Sequence, residues 1–319
     1  MNNPFEIRPF DYTLQDYEAV IRIWNASWLN LIGFQDRMRY EDELRDPRFP
    51  LHRLVAIHNC EVVGYGDLRR LPSIEEKNTF YLSLQVLPEF RRRGIGESLY
   101  RQLVGLLEGI ATGTLLTDTF DTLEESIQFL EKRGFYAFMR YPLSILDVIQ
   151  IDLVSFDSIF EKVKQSGVCI KTIAQLALAD AEWRIKLWQL DNQIHRDAPA
   201  PLPYVPLEYD EYLTKKIEAD WFRPDLWLIA LDGEQWIGES ALEPISQDHY
   251  WTHITGVLKT HRRKGIATAL KLRMIEQVRR AGGRYIQTSN EENNPMYLIN
   301  QHLGFRPEPS EVHFRKKLA

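Results

Sequence analysis

The sequence predicts a mixed α/β protein in which one folding unit is built twice in tandem. Three observations carry this reading. The stretch VLPEFRRRGIG at Val86–Gly96 returns as VLKTHRRKGIA at Val257–Ala267. The spacing from the loop glycine to a later Gly-Phe pair is nearly the same in both places, Gly94 to Gly134 and Gly265 to Gly304. Each loop also leaves a strand-like run and opens a helix-like one, so the match extends into its surroundings, as an internal repeat requires.

Each copy begins with a short strand (FEIRPF, VCIKTI) and a long helix (LQDYEAVIRIWNASW, LADAEWRIKLWQLDNQI) whose apolar residues recur at helical spacing. Trp24, Trp28, Trp183 and Trp188 fall in that rhythm and read as core. A hairpin follows, HRLVAIHNCEVVGYGDL in the first copy and DLWLIALDGEQWIGESAL in the second, each with a polar turn between apolar runs. A third run ends in the arginine-glycine loop. Beyond it come a helix (GESLYRQLVGLLEGI, ATALKLRMIEQVRRAGG), a short strand (GTLLTDTF, RYIQTSN), a helix closing on FLEKRGF or INQHLGF, and a final strand. The unit is β-α-β-β-β-α-β-α-β. The segment IQIDLVSFDSIFEKVKQSG is expected to supply a last strand and a connecting helix, which divides the chain into domains 1–151 and 152–319. HRDAPAPLPYVPLEYDEYLTKK has no counterpart in the first copy. Its prolines deny it regular structure until a helical run near Tyr209, and an ordered loop of that length is expected to wall a substrate cleft.

Composition narrows the function. With 44% hydrophobic and 26% charged residues over 319 positions, both copies can bury a core. The net charge of −6 is carried by the first half; residues 153–319 hold 22 basic and 22 acidic side chains, so neither half is basic enough to track nucleic acid. No apolar run reaches the roughly 20 residues of a membrane span, and no leader-like start is seen, so a cytoplasmic protein is expected. Cys60 and Cys169 lack metal or disulfide spacing. His249 and His253 lie in a strand-like run, where they would stand roughly 13 Å apart, too far for one metal. The expectation is no metal.

The repeated loop has a definite chemistry. Backbone N–H groups at a helix start lack intrahelical partners and carry partial positive charge, so an anion belongs there. Gly94 and Gly96, and Gly265 with Ala267, let a pyrophosphate approach the backbone, while the arginines add charge. The chain contains no G-x-x-x-x-G-K-[ST] loop, and GYGDLR lacks the third glycine of a dinucleotide fingerprint.

These residues resemble the GNAT superfamily of N-acetyltransferases, whose acyl-CoA loop reads Q/R-x-x-G-x-G/A. Both copies satisfy it, as Arg91-x-x-Gly94-x-Gly96 and Arg262-x-x-Gly265-x-Ala267, and TSNEENNPMYLINQHLGF is similar to a run found in tandem members. The resemblance implies two tandem GNAT domains, each a mixed, mostly antiparallel, V-shaped sheet flanked by helices, with strands four and five splayed. Acetyl-CoA, as acyl donor, would lie in the opening. Its pantetheine would pair with backbone near Val257 and Leu258, and its pyrophosphate would sit on Arg262, Arg263, Lys264, Gly265, Ile266, Ala267 and Thr268, with Asn290 and Asn293 nearby. The first-half equivalents are Val86, Leu87, Arg91, Arg92, Arg93, Gly94, Ile95, Gly96 and Glu97.

The family's usual base, a glutamate eleven residues before the loop arginine, is replaced by Phe80 and Trp251; its usual tyrosine acid is replaced by Leu130 and Asn300. The second half offers substitutes. His253 lies two residues beyond Trp251, on the same strand face, and an imidazole suits a base near neutral pH. Glu239 and Glu243 on the neighbouring strand could act through a water, and Asn300 or Tyr297 could meet the thiol. FYLSLQV in the first half offers only Ser83 and Gln85. The expected activity is therefore acetyl transfer to a small-molecule primary amine in the second half, with a catalytically weaker first half. A non-catalytic acyl-CoA sensor and a protein N-acetyltransferase are the alternatives.

Overall fold

The computed structural model of the chain describes residues 5–27, 35–70, 78–109 and 113–318; Trp28 lies outside them. The first copy runs β1 (Glu6–Pro9), α1 (Leu14–Ser27), α2 (Gln35–Glu43), β2 (Leu51–His58), β3 (Glu61–Arg69), β4 (Thr79–Val86), a 3₁₀ turn (Pro88–Phe90), α3 (Ile95–Gly105), β5 (Gly113–Phe120), α4 (Glu124–Glu131) and β6 (Tyr136–Asp147). A connecting helix, α5 (Asp157–Gln165), leads to β7 (Val168–Thr172), α6 (Ile173–Ala177), α7 (Trp183–Asp197) and α8 (Tyr209–Tyr212), which continues into a π-helical turn (Leu213–Ile217). The second copy closes with β8 (Trp227–Asp232), β9 (Gln235–Pro244), β10 (His249–Val257), a 3₁₀ turn (Lys259–His261), α9 (Ile266–Arg280), β11 (Tyr285–Ser289), α10 (Pro295–His302) and β12 (Arg306–Leu318).

The order of elements follows the sequence pattern with two kinds of difference. Helices α2 and α6 are additional. The run IQIDL forms no strand, because Asp147 and Asp152 each accept a backbone N–H two residues on, from Ile149 at 3.2 Å and Val154 at 3.1 Å. Such turns end an extended run, and β6 takes the place of the closing strand.

Two compact units result: Met1–Thr119, Leu123–Phe138 and Val312–Ala319 form one, and Phe120–Thr122 with Met139–Glu311 the other. A cut at Ile151 therefore differs from the division in space, since the last strand of each copy is exchanged. In the first unit the strand order is β1-β2-β3-β4-β5-β12, with β12 entering from Val312. In the second it is β6-β11-β10-β9-β8-β7, and β6 pairs antiparallel with β11 from Leu143↔Ser289 to Asp147↔Tyr285. Apolar side chains explain the exchange. Phe314 is buried among Leu68, Leu82, Leu103 and Leu115 of the first unit, whereas Leu146 and Val148 are buried among Leu270, Ile286 and Phe305 of the second.

Each sheet is covered on both faces. In the first unit Val20 and Ile23 of α1 pack with Val55 and Tyr65, and Leu103 of α3 packs with Leu68 and Leu82. In the second, Leu187, Leu190 and Ile194 of α7 pack with Ile229 and Trp236, while Leu270, Met274 and Val278 of α9 pack with Ala230, Ile237 and Leu242. The α9 core contains an anomaly. Lys271 is 1% exposed, its Nζ lies 5.4 Å from the Phe305 ring centroid, and that Nζ has no hydrogen-bond partner among the described residues. Burial pushes its pKa down to about 7.

Truncating Phe314 to alanine should destabilise the first unit by about 3–5 kcal/mol. Hydrogen exchange should then accelerate around Leu82 and Leu103 rather than around Leu270, although Phe314 belongs to the second copy in sequence. Lys271 gives a pH signature. The folded amine releases its proton near pH 7, whereas the unfolded one keeps it to about pH 10. Between these values the unfolded chain holds more protons, so this group makes stability rise with pH. Urea titrations should show that rise in the wild type and its loss in Lys271→Met, which should also be the more stable protein at pH 7.

Candidate active site

The site begins with a strand that loses its neighbour. β10 pairs in parallel with β11 over His249–Trp251 against Tyr285–Gln287; from Thr252 to Val257 it has no partner on that side among the described residues. β4 and β5 repeat this, pairing over Thr79–Tyr81 and Thr114–Leu116. Each unit thus opens into a V. Leu258 N–H donates to the Ile237 carbonyl at 2.8 Å and Leu87 N–H to the Val63 carbonyl at 2.9 Å. By the alternation of antiparallel ladders, it is Val257 and Thr255, or Val86 and Leu84, that turn their N–H and C=O groups into the opening. Leu258 and Leu87, expected to pair with pantetheine, have their N–H groups committed to the hairpin side instead.

At the foot of each V the two loops are geometric copies. Arg91 and Arg262 have φ/ψ of −64°/162° and −66°/162°. Arg92 and Arg263 adopt positive φ of 62° and 64°. Gly94 and Gly265, both at φ 84°, serve as N-caps to α3 and α9 with no side-chain cap bond. The left-handed turn suits glycine, and it leaves first-turn N–H groups of each helix available to an anion. Arg262 Nε donates to the Val257 carbonyl at 2.8 Å and Arg91 Nε to the Val86 carbonyl at 3.1 Å, so one arginine in each copy braces the loop against its strand. In the second unit, Asp197 at the end of α7 also binds Arg262 and Lys259, both at 2.8 Å.

The α7 face of the second unit collects the polar groups. A bulge lies between Thr252 and Ile254, and the residue it inserts is His253, beside the open edge. Trp251 pairs with Glu243 and Gly256 with Glu239, so both carboxylates share this face. Glu243, 3% exposed, is hydrogen-bonded to His253 Nε2. With Nε2–H given to the carboxylate, Nδ1 is left as the acceptor. Further along β9, the fully buried Glu239 accepts the Trp227 indole N–H at 2.9 Å. Burial, then the charge of Asp191, pushes Glu239 well above the ordinary carboxylate range. Burial also opposes charge on Asp191, yet Lys216 and His195 hold it low: Lys216 Nζ lies 2.7 Å and His195 Nε2 3.1 Å from its oxygens.

The loop after α7 walls this face. The Tyr204 ring stacks on His195 at 5.1 Å, its hydroxyl donates to Asn192 Oδ1 at 2.7 Å, and Tyr141 of β6 donates to the Pro199 carbonyl at 3.2 Å. Burial, then the nearby carboxylates Glu291 and Glu311, raise the Tyr141 phenol. Gly256 makes the close packing possible, because a Cβ there would overlap Ile194 of α7.

A V-shaped sheet over an uncapped, glycine-started helix, formed twice, is the arrangement the repeated loops imply. The sequence profile described as the Acetyltransferase (GNAT) family matches residues 17–135 and again 187–305. The chain belongs to the GNAT acetyltransferase family. It is an N-acetyltransferase by family, with two GNAT units in tandem. Among solved structures it is similar to a GCN5-related N-acetyltransferase from Sphaerobacter thermophilus, at 15% identity and a TM-score of 0.73 over 99% of this chain and 96% of that one. It is equally similar to a tandem GNAT protein from the clavulanic acid biosynthesis pathway, at 18% identity and a TM-score of 0.73 over 98% of both chains. A third, the glucosamine N-acetyltransferase region of a fungal multi-domain GH3 β-N-acetylglucosaminidase, aligns over 98% of this chain and 38% of that one, at 14% identity and a TM-score of 0.68. No curated protein matches in sequence. Among the described residues no group is placed to hold a metal, and no helix is long and apolar enough to cross a membrane.

The two GNAT units differ where it matters chemically. β3 and β4 pair without a bulge, Tyr81 opposite Arg69 and Val86 opposite Gly64, so the structural counterpart of Trp251 is Tyr81, not Phe80, and His253 has no first-unit equivalent. In place of Thr268 stands Glu97, a carboxylate in the first turn of α3, bonded to Arg101 and Arg133. Arg133 in turn lies over the Phe129 ring at 3.4 Å. Sequence reading missed the polar groups on β2 and β3: Asp67, fully buried, accepts from Tyr65 at 3.0 Å and Arg69 at 3.3 Å. Charged residues at alternate positions of the apolar run GYGDLR were the available signal.

Of the remaining expected residues, Asn300 is fully buried on α10 and donates to Asn290 Oδ1 at 2.5 Å. Asn293 closes a turn on Glu291, while Asn294 caps α10. Tyr297 is half-buried one turn before Asn300. Gly256→Ala should therefore push α7 away from β10, destabilising the second unit by about 1–3 kcal/mol in urea denaturation and lowering activity through displacement of Asp191 and His195.

Proposed function

We propose that the second unit transfers an acetyl group from acetyl-CoA to a primary amine of a small cationic molecule, with His253 as proton acceptor and Glu243 as the residue that positions it. The carrying observation is the bulge: it sets an imidazole, backed by a buried carboxylate, beside the open edge of β10, and it occurs in this unit alone. Acetyl-CoA supplies an activated acyl group as a thioester. The residues suited to hold it are the helix start at Gly265–Thr268 with Arg262, Arg263 and Lys264, and the outward backbone of Thr255 and Val257. A backbone N–H there would polarise the acyl carbonyl, as an oxyanion hole does.

The chain's own work is proton transfer and orientation. An amine arrives as an ammonium and attacks only after losing a proton; His253 Nδ1 takes it. The N–C bond forms as the C–S bond breaks, and the second proton shed by the nitrogen as it becomes an amide goes to the departing thiolate. Tyr297 is the hydroxyl on α10 closest in sequence to the family's acid position. Glu239, fully buried and engaged by the Trp227 indole, is not placed as the base. Glu243, beside His253, puts a carboxylate at this mouth, which favours a cationic acceptor. In the first unit Glu97 places negative charge where an anion would bind, which supports weaker acyl-CoA binding there.

The test is thiol release from acetyl-CoA against polyamines, amino sugars and N-terminal peptides. Wild type should turn over a small cationic amine. His253→Gln should lower kcat about 10²-fold. Thr268→Glu should raise KM for acetyl-CoA about tenfold with kcat little changed. Acetyl-CoA binding without turnover on any amine would replace this reading with that of an acyl-CoA-binding module; turnover on peptides alone would replace it with protein acetylation.

A further inference from the structure

We propose that the first unit carries a separate binding site for a carboxylate-bearing small molecule, formed by Arg69 and Arg53 on the α1 face of its sheet. The register shows how the two mouths have diverged. Arg69 pairs with Tyr81 as Glu243 pairs with Trp251, and Tyr65 occupies the β3 place of Glu239. Where one mouth has two carboxylates, the other has a guanidinium and a phenol.

The guanidinium of Arg69 is only partly engaged. Nη1 is held by Asp67 at 3.2 Å and its plane lies 5.3 Å from the Tyr81 ring centroid. Nε is buried with no partner among the described residues, while the side chain as a whole is 34% exposed and so reaches the mouth. Arg53 stands across from Asp67 in the β2–β3 ladder. It is 8% exposed and is held by Asp42 through Nη1, and its Nε also lacks a partner among the described residues. Both arginines act on Tyr65 between them. Two more unpaired groups adjoin that ring: Trp24 Nε1, with the indole edge-on to Tyr65 at 6.3 Å, and the Oε1 of Gln85, which pairs with Tyr65 across the ladder and is 8% exposed.

This set selects a ligand class. Arginine does not give up its proton, so its Nε–H groups remain donors and need acceptor oxygens. A carboxylate presents two, in a plane that a guanidinium fork matches. Gln85 Oε1 is an acceptor and calls for a hydroxyl or amine on the same molecule. A small hydroxy or amino carboxylate satisfies both, and a polyamine satisfies neither.

L-malate is a suitable probe, titrated calorimetrically into the full chain beside succinate, inorganic phosphate and spermidine. The expected result is saturable malate binding, weakened at least about tenfold in Arg69→Gln and partly retained in Arg69→Lys, which keeps the charge but not the fork. Glu243→Gln, in the other unit, should leave malate affinity within about twofold. Because Arg69 also partners Asp67, the wild type supplies an independent readout: malate should slow hydrogen exchange along 53–56, 65–69 and 81–85. The proposal is overturned by no saturable malate binding up to about 10 mM, by unchanged affinity in Arg69→Gln, by protection falling elsewhere, or by tighter binding of phosphate or spermidine.

Discussion

An interior strand that gives up its neighbour partway along is the constraint on which the rest depends. Backbone N–H and C=O groups inside a protein need partners, and β10 leaves those of Thr255 and Val257 facing an opening. Arg262 Nε takes the Val257 carbonyl, and the same arginine starts the loop that leads to the exposed helix terminus. Strand edge and anion site are thereby fixed to one another by a single side chain, in both copies. Their separation suits a ligand with a phosphate at one end and a hydrogen-bonding amide arm at the other.

Around this shared backbone the copies have diverged through side chains and one inserted residue. The insertion gives the second unit an imidazole at the mouth, and Glu243 orients it. On the same face of the first unit, arginines and a buried aspartate replace those groups. The loops themselves have kept nearly identical dihedral angles, because left-handed positions constrain backbone, whereas the α1 and α7 faces constrain only polarity and volume. Divergence has followed the weaker constraint.

The loops were legible because glycine and arginine at fixed offsets have few other uses, and the repeat was legible because apolar periodicity survives substitution. The exchange of β6 and β12 was not, since nothing local in YAFMRYPLSILD or RPEPSEVHFRKKL specifies which strand each will meet. A one-residue bulge is equally silent, so counting back eleven residues aligned Phe80 with Trp251 where the ladder aligns Tyr81. His253 was found because histidine itself is informative, but its partner Glu243 required the register. Asp191 and Lys216 required the tertiary fold: they lie 25 positions apart and meet beneath Tyr212.

The exchanged strands also bear on how such a chain could have arisen. A single copy, expressed alone, would end in a strand whose apolar side chains are matched to the core of another copy, and its own β5 would want a neighbour. Two identical chains would answer each other's need by trading last strands, as domain-swapped dimers do. Fusing two such genes end to end would convert that partnership into one polypeptide without altering a contact. It would also release the two sites from symmetry, free to specialise in a way identical subunits never could.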